Sequence, residues 1–239
     1  MAKVDKNLYT KEEWQKIRAK RREEKTQKKL KEELQLITKE RPRPTNPVAF
    51  VLGNGMSRKP IELPKLKTNG TIYACNAVYR DFEPDYLVAV DTKMILEIAR
   101  TQWQNNGRVW TNYNRVYDKI SNLNYFNPSK GWSSGPTALD LATRHGHTEI
   151  YILGFDFKGT DEHKVNNVFA DTPNYKRSID KETYFGNWLR QTTITIEKNP
   201  QTRYIRVIEK GGFIPPTIKQ ISNLEHITVP EFIKMFGLN

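Results

Sequence analysis

The chain reads as an α/β protein with a doubly wound, mostly parallel sheet, preceded by a long basic helix. Three observations predict this. Short runs rich in β-branched and aromatic residues recur from Pro47 onward: "VAFVL", "TIYAC", "YLVAV", "EIYILGF" and "RYIRVI". Helical patterns separate several of them, most clearly "DTKMILEIARTQW" and "GPTALDLATRHG", and alternating strands and helices favour a parallel sheet with helices on both faces. The strand runs are apolar almost throughout, as suits strands covered on both sides.

The N-terminal segment has a different texture. Thr10 to Lys39 reads as one helix, with Thr10 as N-cap and Glu13 completing a capping box. Glu12 and Glu13 suit the positive end of the macrodipole, and "RPRPTNP" stops the helix. Residues 1–46 hold 15 Lys/Arg against 8 Asp/Glu, so +7 of the net +12 lies there. Trp14 and Ile17 make one apolar patch, and Leu30, Leu34 and Ile37 another; the polar stretch between them prevents burial of a full face. Three readings fit: a solvated helix with i,i+4 Glu/Lys pairs; a protein-docking helix using the apolar patches; or a nucleic-acid contact. The last would run through Arg18, Lys20, Arg21, Arg22, Lys25, Lys28 and Lys29, with interspersed Glu residues diluting the field. The interrupted apolar face argues against a membrane helix.

Residues 1–46 are therefore expected to be a basic helical extension with a Pro-rich linker. Residues 47–239 are expected to form one domain with a polar lid near 157–182. Hydrophobic content of 37% supports a real core, and the mean hydropathy of −0.73 fits a polar segment outside it. Cys75 is the single cysteine, so no internal disulfide forms. No apolar run approaches the ~18 residues of a membrane span, and the first residues lack the apolar core of a secretory signal. The expectation is a soluble cytoplasmic protein without membrane partners, or a virion component if the source is viral.

Ligands of such sheets bind beyond the carboxyl ends of the strands. Gly53, Asn54, Gly55 and Ser57 follow the first strand run in "AFVLGNGMSRKP", where glycines permit positive φ and close approach and turn amides toward an anion. The turn is neither a P-loop nor GxGxxG. Asn76 and Asp91 close the second and third runs, and Gly154 and Asp156 follow "EIYIL". Ser133, Ser134 and Gly135 precede a helix expected to open near Pro136, whose N-terminus suits an anion. Together they form a rim of Asn, Ser, Gly and Asp suited to a nucleotide. Asp91 and Asp156 could also hold Mg2+ beside phosphates, whereas no His/Cys cluster suggests zinc.

The order "GNGMS … YACNAVY … SSGPTALDLATRHGHTEIYILGFDF" resembles the bacterial lipooligosaccharide sialyltransferases. "FEPDYLVAVDTKM" is similar to the related DUF115 group, which includes archaeal pterin diphosphokinase-like proteins. The resemblance covers roughly residues 47–210 and implies a Rossmann-like nucleotide fold. It also implies that Asn54, Gly55 and Ser57 hold phosphate and ribose, that Asn76 contacts the nucleotide, and that Ser134 and Gly135 contact the base or donor sugar, with Asp156 nearby. Met56 replaces the family's proline. The larger departure is at "ETYFGNWLRQ": Asn187 stands where the family has its histidine base, and asparagine takes no proton at neutral pH.

Asp91 or Asp156 would then have to serve as base. His145 and His147 flank a helix end, where a cation suits the dipole. His163 lies in the lid, and Tyr175 and Tyr184 could replace the family's lid tyrosines. Lys176, Arg177 or Arg190 could neutralise a leaving nucleotide. Three functions follow. The first is a glycosyltransferase using a nucleotide-sugar donor, with no metal requirement and, if the N-terminal helix binds DNA, a modified base as acceptor. The second is a retired enzyme serving as a binding module in a nucleic-acid-containing or viral assembly. The third is a Mg2+-dependent diphosphokinase.

Overall fold

The computed structural model describes residues 10–38, with side chains as far as residue 27, and residues 46–238. The chain divides into two compact units, Met1–Pro42 and Arg43–Asn239.

The first unit is the helix α1 (Lys11–Thr38), 28 residues long. It opens on the expected capping box: the Glu13 amide donates to Thr10 Oγ1 at 3.3 Å, and the Thr10 amide donates to Glu13 Oε2 at 2.8 Å. Trp14 and Ile17 are half-buried and the other residues from Thr10 to Gln27 are exposed. The expected contacts at Lys28 and Lys29 and the patch of Leu30, Leu34 and Ile37 involve side chains outside the described residues.

The second unit is built on eight strands: β1 (Val48–Leu52), β2 (Thr71–Cys75), β3 (Tyr86–Val88), β4 (Val109–Thr111), β5 (Leu123–Tyr125), β6 (Glu149–Leu153), β7 (Arg203–Ile208) and β8 (Leu224–Thr228). They form one sheet in the order β5-β4-β3-β2-β1-β6-β7-β8, and every neighbouring pair is parallel. Between them run α2 (Leu63–Leu66), α3 (Thr92–Arg100), α4 (Ser134–Arg144) and α5 (Gly186–Glu197), and α6 (Val229–Phe236) follows β8.

Strand β1 shows why its run is continuously apolar. Ala49 and Val51 face a core shared with Leu139 and Ala142 of α4 and Ile196 of α5. Phe50 and Leu52 face the other core, with Ile95 and Ile98 of α3 and Phe232 of α6. Each large side chain buried this way contributes about 1.5–3 kcal/mol. The chain winds outward from β1 to β5, returns through α4, and adds β6 on the other flank of β1. Leu52 is in register with Leu153, so the carboxyl ends of β1 and β6 open side by side at the topological switch point.

The amino-terminal end of the sheet carries a closed polar cluster. The Tyr73 hydroxyl lies 2.7 Å from His145 Nδ1 and 2.9 Å from His147 Nε2, and His147 Nδ1 lies 2.9 Å from the Asn46 carbonyl. A carbonyl only accepts, so Nδ1 of His147 carries the proton and Nε2 accepts from Tyr73. Burial holds the His147 imidazole below its ordinary value. The expectation of a cation at this helix end is thus corrected for His147: it is 2% exposed and folded as the neutral ring.

Candidate functional site

A cleft of about 540 Å3 opens at the carboxyl ends of β1, β2, β3 and β6. Gly53, Asn54, Gly55, Asn76, Asp91, Ser133, Ser134, Gly135 and Asp156, scattered over a hundred residues of sequence, all line it. So do Tyr175 and Lys176 from the lid, whereas Ser57, His163, Tyr184 and Asn187 do not border it.

The turn after β1 does something other than expected. Four of its amides are not open to a ligand, because protein acceptors take them. Gly53 donates to Leu153 O at 2.7 Å, Gly55 to Gly154 O at 2.9 Å, Met56 to Asn166 Oδ1 at 2.8 Å and Ser57 to Asp156 Oδ2 at 3.1 Å. Positive φ is not the reason for the glycines either, since Gly55 sits at φ −64°. Close approach is. A Cβ on Gly53 would strike Gly154 O and the Phe155 ring, and one on Gly55 would strike the Asp156 carboxylate. Ser57 is 4% exposed, and its hydroxyl is bound to Asp156 Oδ1. It therefore orients the carboxylate instead of reaching a phosphate.

At the start of α4 the Ser133 amide is taken by Gln191 Oε1 at 3.0 Å, while those of Ser134 and Gly135 have no intrahelical acceptor. The helix begins at Ser134, with Ser133 as N-cap, two residues earlier than expected from Pro136. The first i→i−4 bond runs from Thr137 N to Ser133 O at 3.0 Å, so Pro136 stands where a missing N–H removes nothing. Ser134 Oγ accepts from Val90 N at 3.1 Å, which ties the helix to the end of β3. Amides of the first turn and the positive end of the dipole thus border the cleft.

Two acceptors on the rim lack partners. Asn54 Oδ1 and Asn76 Oδ1 are buried without a hydrogen bond, an arrangement that costs about 1–3 kcal/mol each until a donor arrives. Asn54 Nδ2 donates to the Tyr175 hydroxyl at 3.1 Å, which also accepts from Ala77 N at 3.3 Å. Burial raises the Tyr175 phenol and keeps it protonated. Asn76 sits at φ +53°, a backbone region that Asn tolerates better than most residues.

Behind the rim lie two buried guanidiniums. Arg58 is 6% exposed and donates from Nε to Gly53 O at 2.6 Å, with Nη2 unpartnered. Arg206 is 2% exposed and donates to Phe155 O at 2.8 Å, to Asp156 O at 3.2 Å and to Phe213 O at 3.0 Å. Among the described residues neither forms a carboxylate ion pair. Burial lowers both, Arg206 to about 10. Both still carry charge at neutral pH, but neither borders the cleft; Arg206 feels the Asp156 carboxylate and Arg58 that of Asp81, and both hold rim carbonyls in place. Sequence reading missed these two buried arginines. The signal for Arg206 was present: of the two cations in "RYIRVI", Arg203 opens the strand and Arg206 lies inside it, where a two-sided sheet must bury it.

The lid lies against the rim. Val168 N donates to Asn54 O at 2.8 Å, and Lys164 and Lys181 form an antiparallel bridge. Arg80 pairs with Glu97 of α3 and donates from Nη1 to Thr172 Oγ1 at 2.8 Å, while Asn174 Nδ2 bonds Glu97 Oε2 at 2.6 Å. His163 instead pairs at the surface with Glu182, at 2.9 Å. Tyr184 is 79% exposed, and Asn187, Arg177 and Arg190 are exposed as well. Aromatic walls that the sequence did not single out complete the cleft: Trp132, Phe155, Phe157, Phe185 and Trp188.

The two carboxylates differ. Both oxygens of Asp156 take hydrogen bonds from Ser57. Asp91 is the N-cap residue of α3, exposed, and its side chain makes no cap hydrogen bond. Among the described residues no three His, Cys, Asp or Glu side chains cluster as a metal site, and no helix is long and apolar enough to cross a membrane. Comparison with protein-family models, with curated proteins and with solved structures finds no match, so the sialyltransferase resemblance rests on the motif residues themselves.

Proposed function

We propose that the cleft binds a nucleotide-activated sugar and transfers its glycosyl group to an acceptor hydroxyl. The observation that carries this reading is the rim: the unpartnered Asn54 Oδ1 and Asn76 Oδ1 and the first turn of α4 border one cleft, where a diphosphate or phosphodiester would meet the positive end of the helix. Asn54 Oδ1 and Asn76 Oδ1 would accept from ribose hydroxyls or a base amine, and the aromatic walls would cover base and sugar. Asp91 is the assigned general base, because its carboxylate is not committed to a cap while that of Asp156 is held by Ser57. A Mg2+-dependent diphosphokinase would draw on both carboxylates, and the Ser57 bonds to Asp156 favour it less.

The test is release of nucleotide from a panel of CMP-, UDP- and GDP-sugars. One donor is expected to turn over, and Asp91→Asn is expected to cut kcat by about 10^2–10^4 without loss of nucleotide binding. Full activity in Asp91→Asn would move the base elsewhere. Nucleotide binding with no donor consumed would favour the second reading, a retired enzyme used as a binding module, which the exposed Asn187 outside the cleft supports.

A further inference from the structure

Helix α1 sorts its charges in a way its sequence conceals. Residues 11–27 hold seven cations and four acids, which read along the chain as a mixture. Because Lys11–Thr38 is one uninterrupted α-helix, each residue turns by about 100°. Lys11, Arg18, Arg22 and Lys25 then fall within an arc of roughly 60°, along about 21 Å of the axis. Glu12, Glu13, Glu23 and Glu24 fall more than about 100° from the middle of that arc, with Lys16 and Lys20 among them. One face is a pure cation stripe; the other is mixed and self-compensating. All four stripe residues are exposed; Gln15 and Thr26 border one side of the stripe, and Trp14, Arg21 and Ile17 follow on the other.

We infer that this stripe of α1 is a nucleic-acid contact that grips the phosphate backbone without reading sequence. Four cations in line on a straight rod match a linear polyanion, whose duplex form presents one charge per ~1.7 Å. A lipid surface would require an apolar face to sink below the headgroups; here Trp14 and Ile17 are the apolar patch of the described side chains and they flank the stripe. The contact is independent of what the cleft binds.

The experiment is fluorescence anisotropy of the full chain with labelled duplex DNA and duplex RNA from 50 to 200 mM salt. Four phosphate contacts predict a log–log slope near about −3.6 and a loss of about a hundredfold across that range. Two variants with equal charge change locate the contact. Arg18→Gln with Arg22→Gln should flatten the slope by about 1.8, whereas Lys16→Gln with Lys20→Gln should leave it almost unchanged. Circular dichroism of both variants confirms that the helix persists. Equal effects of the two pairs, absence of binding at 50 mM salt, or binding to phosphatidylserine vesicles but not to nucleic acid would each overturn the inference.

Discussion

Two glycine-bearing segments border the cleft, and their backbone amides have opposite fates. In the turn Gly53–Ser57, the amides of Gly53, Gly55, Met56 and Ser57 are bound by Leu153 O, Gly154 O, Asn166 and Asp156. Arg58 also holds the Gly53 carbonyl from behind. In the first turn of α4, the amides of Ser134 and Gly135 precede the first intrahelical bond, made by Thr137, and belong to residues that line the cleft. The first segment is a joint between the ends of β1 and β6. The second has free donors for a ligand. A Gly-x-Gly turn after a strand is therefore not itself a phosphate loop; what counts is whether its N–H groups are already spent.

The comparison predicts different damage from one added methyl. Gly55→Ala drives a Cβ into the Asp156 carboxylate and the Gly154 carbonyl; a cost of about 3 kcal/mol or more is expected, a fall in Tm of roughly 10 °C. Gly135→Ala meets only the Phe155 ring edge, at 3.2 Å, and alanine gains up to about 1 kcal/mol over glycine in a helix. Its Tm should stay within a few degrees while nucleotide affinity drops about tenfold, as the methyl narrows the approach to the amides. Thermal unfolding of both variants checks this, and an equal loss of Tm in the two would erase the distinction.

The smallest expected effect contrasts the two ends of α4. At its far end His147 is folded neutral, held below its ordinary value by burial. Its contribution is full above about pH 6.5 and declines as pH falls below that, because the unfolded ring then takes up a proton more readily than the folded one. Tm should decline from pH 7 to 5, and His147→Gln should flatten the decline. His226, also lowered, first by burial and then by Arg206, adds in the same direction. A His147→Gln profile parallel to wild type would remove His147 from the account.

The longer strands and helices were legible in the sequence because each carries its own period. β1, β2, β3, β6 and β7 are buried on both faces and read as apolar runs, and α1 announces itself by the Thr10–Glu13 capping box. β4 and β5 were not legible, since "VWT" and "LNY" stand alone, whereas the equally short β3 sits in the apolar run "YLVAV". β8 is an edge strand whose "LEHIT" mixes polar and apolar residues, and the Thr/Ile-rich end of α5 has the composition of a strand. At the site, the rim was legible because topology places strand ends together. The buried arginines were not: Arg58 and Arg206 reach the carbonyls of Gly53, Phe155 and Asp156 only through folding.

The central claim is that this rim forms a nucleotide site. Isothermal titration calorimetry with CMP, UDP, GDP and ATP tests it most directly, on the wild type and on Asn76→Gly. Glycine accepts the positive φ of Asn76 without strain, so the variant removes a rim acceptor and leaves the backbone in place. The account predicts micromolar binding of at least one nucleotide, weakened about tenfold or more in Asn76→Gly at unchanged Tm. No heat from any of the four at ~1 mM with folded protein, or identical affinity in the variant, would contradict it.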